Sequence, residues 1–156
     1  MKIEVLGGAR EVGGSCITVQ TDSAKIALDY GTKVDGEARK LPADFDAVVI
    51  SHAHLDHSGG LLSLHKQNPL IIGSQITREV TVDLLHDMIK IQSERGIFEF
   101  EDSHADKIGR CFHTSENVDL SGVKIQLQYA GHVAGAKITT LQAEGKDCLY
   151  WRFLFS

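Results

Sequence analysis

The chain has 156 residues, 42% of them hydrophobic and 24% charged, which suits one globular domain or part of a larger one. Its net charge of −5 argues against a general basic surface for nucleic acid, and no apolar run is long enough to span a membrane. The three widely spaced cysteines, Cys16, Cys111 and Cys148, favour reduced thiols in a cytoplasmic protein over a disulfide framework.

Short strands are predicted for the first part of the chain. Glycine pairs and an Asp-Ser turn separate β-like runs, and each run is too short for a helix. A short helix is predicted at Leu61, Leu62 and Leu64, directly after Gly59 and Gly60. The strands predicted in this part cover residues 3–6, 15–20, 25–29, 46–50 and 69–72.

The middle of the chain is predicted to be helical. Residues 75–95 form the clearest helix, since apolar side chains recur at three- and four-residue spacing and Gly96 follows as a stop. The apolar positions of this pattern are Ile76, Val80, Leu84, Leu85, Met88 and Ile89. A shorter helix is predicted over 102–112. Strands are then predicted over 123–129, 137–143 and 147–151, so the order indicates an α/β (α+β) fold with sheet layered against helix.

The stretch SHAHLDHSGG, residues 51–60, carries the strongest chemical signal. Neutral imidazole and carboxylate are good zinc ligands. His52 and His54 are two residues apart, so on an extended backbone both project to one side and can reach one metal. Asp56 and His57 follow after the chain has turned and can face a second metal. The alternative is chance crowding of polar residues on a surface loop.

Two further residues are candidates for the same site. His132 lies in a glycine-rich stretch after a separate strand and is predicted to supply the distant third ligand of the first metal, although a lone surface histidine is the alternative. Asp29 ends the third predicted strand, where it is either a turn residue or a carboxylate that orients a ligand histidine. The other histidines are interpreted as solvated or capping residues: His65, His86, His104 and His113.

Other catalytic chemistries fit the sequence less well. Ser51 and Ser58 flank the histidines, but neither lies in the G-x-S-x-G turn of a hydrolase nucleophile. The glycines of residues 7–14 have neither dinucleotide-binding nor P-loop spacing. Metal chemistry therefore accounts for most of these residues.

His52-Ala53-His54-Leu55-Asp56-His57 matches the H-x-H-x-D-H signature, and the chain resembles the metallo-β-lactamase superfamily. The stretches GGAREVGGSC (7–16) and AGHVAGA (130–136) look like the β-CASP nucleases, which include the endonuclease of the cleavage-and-polyadenylation factor. The resemblance covers nearly all of residues 1–150. It implies an αββα sandwich that acts on RNA as its partner and substrate.

The resemblance also implies a role for each site residue. His52, His54 and His132 would hold one zinc ion, and Asp56 and His57 would help to hold a second. Asp56 is for this reason counted as a catalytic residue as well as a ligand. A hydroxide between two metals would attack the RNA phosphodiester while the ions stabilise the charge on the phosphate oxygens.

The match to the family ends at residue 150. Relatives continue with Thr-Gly-Asp, whose Asp bridges the two metals, where this chain has Trp151-Arg152-Phe153. Residues 1–150 are thus predicted to be the N-terminal part of a metallo-β-lactamase domain, and 151–156 an aberrant tail of the kind that a shifted reading frame produces. We expect one bound zinc ion, little nuclease activity, and association through exposed apolar sheet surface.

Two other functions stay open from the sequence. One is a hydrolase of small esters, thioesters or lactams, which uses the same metal ligands. The other is a non-catalytic zinc-binding or interaction module that pairs with another chain. Neither alternative involves a membrane.

Overall fold

A computed structural model describes residues 1–9, 13–33 and 41–150. In these ranges the chain forms two β-sheets and three α-helices. The first sheet has six strands in chain order: β1 Lys2–Gly7, β2 Cys16–Gln20, β3 Lys25–Leu28, β4 Ala47–Val49, β5 Leu70–Ile72 and β6 Phe112–His113. Strands β1 to β3 are antiparallel, whereas β3 to β6 run parallel.

The second sheet has four antiparallel strands in the order β10-β9-β8-β7. Their bounds are β7 Asn117–Leu120, β8 Val123–Tyr129, β9 Lys137–Ala143 and β10 Lys146–Tyr150. Two hairpins have two-residue turns, Ser121-Gly122 and Glu144-Gly145, in which all four φ angles are positive. Such turns match the twist of the strands that they join.

The helices are α1 Leu55–Ser58, α2 Gln75–Glu94 and α3 Asp102–Arg110, and a 3-10 helix covers Gly59–Leu64. The predicted helix at 75–95 is confirmed within a residue. The predicted helix at 102–112 is too long, because Phe112 already pairs with β5 as part of β6. Strand β6 has only two residues and strand β7 only four, so neither is long enough for its pattern to stand out in the sequence.

Helix α2 buries a different face in its first two turns from the one that its apolar residues indicate. Ile76 and Val80 belong to the apolar pattern, yet they are 45% and 41% exposed. Thr77 and Thr81 are buried instead, in line with Leu85 further along the helix. The side that faces the protein thus carries two hydroxyl groups.

The described residues form three layers. The helices pack on one face of the first sheet, through Leu62, Leu85 and Ile108. The second sheet packs on the other face, where Ile125 and Leu141 meet side chains of the first sheet. The mixed α/β class is therefore confirmed, and within the described ranges no helix covers the outer face of the second sheet.

Exposed apolar side chains on the described strands lie mainly at two edge strands. Ile3 and Val5 of β1 are 52% and 51% exposed, and Leu149 of β10 is 66% exposed. Association through these side chains stays a prediction. Among the described helices none combines the length and the apolar character that crossing a bilayer requires. Residues 151–156, the predicted aberrant tail, lie outside the described ranges.

Candidate metal centre

The candidate site lies where the parallel strands of the first sheet end. Because β3 and β4 are parallel, Asp29 after β3 and His52 after β4 reach the same edge of the sheet. His54 precedes α1, and this single turn carries Asp56 and His57 back to the same place. The loop 130–136, between β8 and β9 of the second sheet, brings His132 to it.

Three histidines from these two parts of the chain converge. The ligand nitrogens of His52, His54 and His132 all lie within 4.8 Å of one another. The ring centroid of His52 is 4.7 Å from that of His54 and 5.2 Å from that of His132. His52 is buried, whereas the other two are exposed, so the group has one side toward the protein and one toward solvent.

Asp56 and His57, the predicted ligands of a second metal, lie directly beside this group. Nε2 of His57 is 3.4 Å from Oδ2 of Asp56. The ring centroids of His52 and His57 are 4.1 Å apart. All five residues proposed from the sequence as metal ligands therefore occupy one continuous patch.

The fully buried carboxylate of Asp29 contacts several residues in and next to this patch. Its Oδ1 accepts the backbone N–H of Ser51 at 2.7 Å, and its Oδ2 accepts the Ser51 hydroxyl at 2.9 Å. Oδ2 also accepts the hydroxyl of Tyr150, at 2.8 Å, and lies 2.5 Å from Nδ1 of His57. Asp29 therefore contacts a site histidine, and its role as the carboxylate that orients a ligand stays a prediction.

These hydrogen bonds assign the protons of two histidine rings. A carboxylate only accepts, so Nδ1 of His57 donates to Asp29. The single proton of the Ser51 hydroxyl is used on Asp29, so Ser51 Oγ accepts from Nδ1 of His52 at 3.0 Å. In neutral His52 the lone pair is therefore on Nε2, which faces Nδ1 of His54 at 3.2 Å.

Burial and charge reinforce this assignment. Burial, followed by the positive charge of His57, lowers the pKa of His52 to about 4, so His52 is neutral at physiological pH. A neutral imidazole is the form that binds a metal. The donor set of three imidazoles, one of them held neutral and correctly protonated, therefore fits a zinc ion.

His57 has the opposite charge state. Burial alone lowers the pKa of His57, but its hydrogen bonds to Asp29 and Asp56 outweigh burial and raise that pKa to about 9. The hydrogen bond from His57, against the opposing effect of burial, lowers the pKa of Asp56. Without a bound cation, His57 is thus an imidazolium and Asp56 a carboxylate. A cation that binds Nε2 of His57 must displace the proton on that nitrogen.

The backbone of the cluster is clamped against the segment 30–32. Tyr30 N donates to His57 O at 2.7 Å, and Thr32 N donates to Leu55 O at 3.0 Å. Gly31 lies between them in such close contact that a Cβ on it would be 1.8 Å from the carbonyl oxygen of Asp56. Glycine is therefore required at position 31 by space alone.

Sequence reasoning missed the polar residues that support the site. Ser51 was considered only as a nucleophile, and Tyr150 lies 121 residues from its partner Asp29. The histidines outside the predicted site do lie outside the cluster. His104 accepts from the backbone N–H of Glu101 in a capping box, and His86 contacts two carboxylates on α3.

Comparisons with known sequences point to one superfamily. The profile described as Metallo-beta-lactamase superfamily matches residues 9–81. RNase aCSPSF2 of Saccharolobus solfataricus is 30% identical over 151 residues, which are 91% of this chain and 31% of that protein. Transcription termination factor FttA of Methanocaldococcus jannaschii is 34% identical over 90% of this chain and 25% of its own length. The chain thus spans about a quarter to a third of the length of these relatives.

Solved structures agree on the fold. AidC, a dizinc quorum-quenching lactonase, superposes with a TM-score of 0.57 at 23% identity, over 86% of this chain and 54% of AidC. A metallo-β-lactamase motif mutant from Cronobacter sakazakii gives a TM-score of 0.60 at 21% identity, over 96% of this chain and 60% of that enzyme. At such identities the likeness concerns the architecture.

Proposed function

Because the chain belongs to the metallo-β-lactamase superfamily and its relatives include β-CASP ribonucleases, we propose that it carries the zinc centre of a hydrolase that cleaves RNA phosphodiester bonds. The observation that carries this proposal is the convergence of His52, His54 and His132 within 4.8 Å. RNA as the substrate is supported by the relatives that are named RNases. Zinc as the metal is supported by the three imidazole donors.

The chain's own residues would divide the work of holding the metals. His52, His54 and His132 would bind the first zinc ion, with Asp29 keeping the correct nitrogen of His52 available through Ser51. Asp56 and His57 would bind a second ion, and Asp29 would orient His57 directly. Zinc, when bound, lowers the pKa of water and stabilises negative charge on a phosphate.

The two metals should differ in affinity. The described residues offer three imidazoles to the first ion but only Asp56 and His57 to the second, and His57 must first lose a proton. Fewer protein ligands and a competing proton both weaken binding. We therefore propose that the 156-residue chain retains about one zinc ion and cuts RNA poorly.

Zinc stoichiometry tests the proposed centre. After dialysis against zinc-free buffer, the wild type should retain about one ion per chain and His52→Ala should retain little. His113→Ala is the matched control, since His113 is exposed at the same sheet edge but lies outside the cluster. Equal zinc content in wild type and His52→Ala would contradict the proposal.

Substrate class needs a separate assay. A labelled single-stranded RNA, a thioester and a lactam reporter are incubated with the zinc-loaded chain, with and without a chelator. Slow, chelator-sensitive cleavage of RNA and no turnover of the other two supports the proposal. Turnover of a small reporter without RNA cleavage contradicts the RNA assignment, and rapid RNA cleavage contradicts the weak second site.

A further inference from the structure

The loop that carries His132 is hydrogen-bonded to the first turn of helix α2. The carbonyl oxygen of Gly135 accepts the hydroxyl of Ser74 at 2.7 Å and the hydroxyl of Thr77 at 3.0 Å. Thr77 is 1% exposed, so its hydrogen bond is shielded from water. Ser74 also caps the helix, because its hydroxyl accepts the backbone N–H of Thr77. One helix terminus thereby holds a loop about 60 residues away along the chain.

The contact leaves no room for the loop to shift toward the helix. Gly135 has a φ of +80°, and a Cβ on it would lie 2.8 Å from Cβ of Ile76 and 2.9 Å from the backbone nitrogen of Thr77. Just after Gly135, the backbone N–H of Lys137 donates to the carbonyl of Ser51 at 2.8 Å. The loop is thus fixed at Gly135 by α2 and two residues later by the segment that carries His52.

We propose that Ser74 and Thr77 are positioning residues for the metal centre: they hold the loop 130–136 so that His132 completes the ligand group. The inference rests on the proposed zinc centre. His132 is exposed and lies outside the described strands, three positions before the Gly135 anchor. A flexible loop must be ordered each time its ligand binds, which lowers affinity, whereas a fastened loop is already ordered.

Helix α2 itself supplies a matched control. Thr81 lies one turn after Thr77 on the same face and is also fully buried. In the described part of the chain the Thr81 hydroxyl has no hydrogen-bond partner. Replacement by valine keeps the shape of either side chain and removes only the hydroxyl. Thr77→Val therefore removes a hydrogen bond to the His132 loop and the 2.9 Å contact with the Ser74 hydroxyl, whereas Thr81→Val removes no hydrogen bond among the described residues.

Zinc affinity of the full chain, measured by competition with a chromogenic chelator, is the first readout. Residues that support a metal ligand typically change affinity by about 10–100-fold, so we expect Thr77→Val to bind zinc about 10-fold more weakly. Thr77→Ser should restore wild-type affinity, since it keeps the hydroxyl, and Thr81→Val should match the wild type. Wild-type affinity in Thr77→Val, or an equal loss in Thr81→Val, would overturn the inference.

A double-mutant cycle separates positioning from a general loss of stability. If Thr77 acts through His132, then Thr77→Val should weaken zinc no further once His132→Ala is present. Equal losses in both backgrounds would mean that Thr77 acts by another route and would overturn the inference. Failure of the wild type itself to bind zinc is a different result, because it overturns the proposed centre on which this inference depends.

Discussion

Replacing Gly31 by alanine should disrupt the metal centre through a purely steric effect. The added Cβ would lie 1.8 Å from the carbonyl oxygen of Asp56 and 2.8 Å from the backbone nitrogen of His57. Both are backbone atoms, which cannot rotate away as the end of a side chain can. An ordinary contact needs about 3.4 Å, so the segments must separate by roughly 1.6 Å.

The cost can be estimated from the hydrogen bonds that join the two segments. The backbone N–H groups of Tyr30 and Thr32 donate to the carbonyls of His57 and Leu55 at 2.7 and 3.0 Å, and the Thr32 hydroxyl donates to the carbonyl of Leu55 at 3.1 Å. Each such bond contributes about 0.5–1.5 kcal/mol, and overpacking adds about 1–3 kcal/mol. We expect Gly31→Ala to lower the free energy of unfolding by about 3–5 kcal/mol and to abolish tight zinc binding.

Denaturant unfolding and zinc content measure the two effects, and Gly96→Ala provides the control. Gly96 has a φ of +77°, and a Cβ added to it would meet no other atom of the described residues within 4 Å, so alanine there costs only the left-handed backbone, about 1–2 kcal/mol. Zinc binding should be unaffected in this control. If Gly31→Ala is no less stable than Gly96→Ala and keeps its zinc, the close packing of segment 30–32 against the cluster does not constrain the metal centre.

Three other variants test separate features. Asparagine at position 29 suits the positive φ of 58° but cannot accept every hydrogen bond that the carboxylate accepts. In Asp29→Asn the zinc affinity should therefore fall about 10–100-fold in a chelator competition. An unchanged affinity would refute the supporting role of Asp29. The hydrogen bond to Asp102 raises the pKa of His86, with burial opposing the shift and Asp106 adding to it. The contact therefore stabilises the fold below about pH 6.5, and this stabilisation is lost as the pH rises through the raised pKa. The difference in free energy of unfolding between wild type and His86→Gln, measured in urea, should therefore shrink with rising pH. A difference that grows with pH would contradict this reasoning. Thr139→Val removes a buried hydroxyl that has no partner among the described residues, so its melting temperature should equal or exceed that of the wild type, and a clear decrease refutes this.

Local patterns were sufficient for much of the fold. The alternation over residues 123–129 predicted β8 with its bounds, and the spacing in residues 75–95 predicted α2. Strand β6 could not be predicted, because two residues carry no period and their pairing with β5 depends on the parallel sheet already being formed. The burial of Thr77 also depends on a partner distant in the chain, so apolar spacing alone assigned part of the wrong face to the protein interior.

The site divides in the same way. Imidazole and carboxylate spacing in residues 52–57 placed four candidate ligands together, and the glycine-rich setting of His132 identified the fifth. The supporting hydrogen bonds were not visible, because Tyr150 and Asp29 are isolated residues whose contact is made only when two sheets pack. The local sequence thus indicates which residues can be ligands, whereas the orientation of their side chains depends on tertiary structure.

Zinc K-edge absorption spectroscopy of the chain loaded with one equivalent of zinc tests the metal centre most directly. Three histidines converge in the structure, so the spectrum should show three imidazole nitrogens at about 2.0–2.1 Å, and two in His132→Ala. A zinc ion with oxygen ligands and at most one imidazole, unchanged in His132→Ala, would contradict the account.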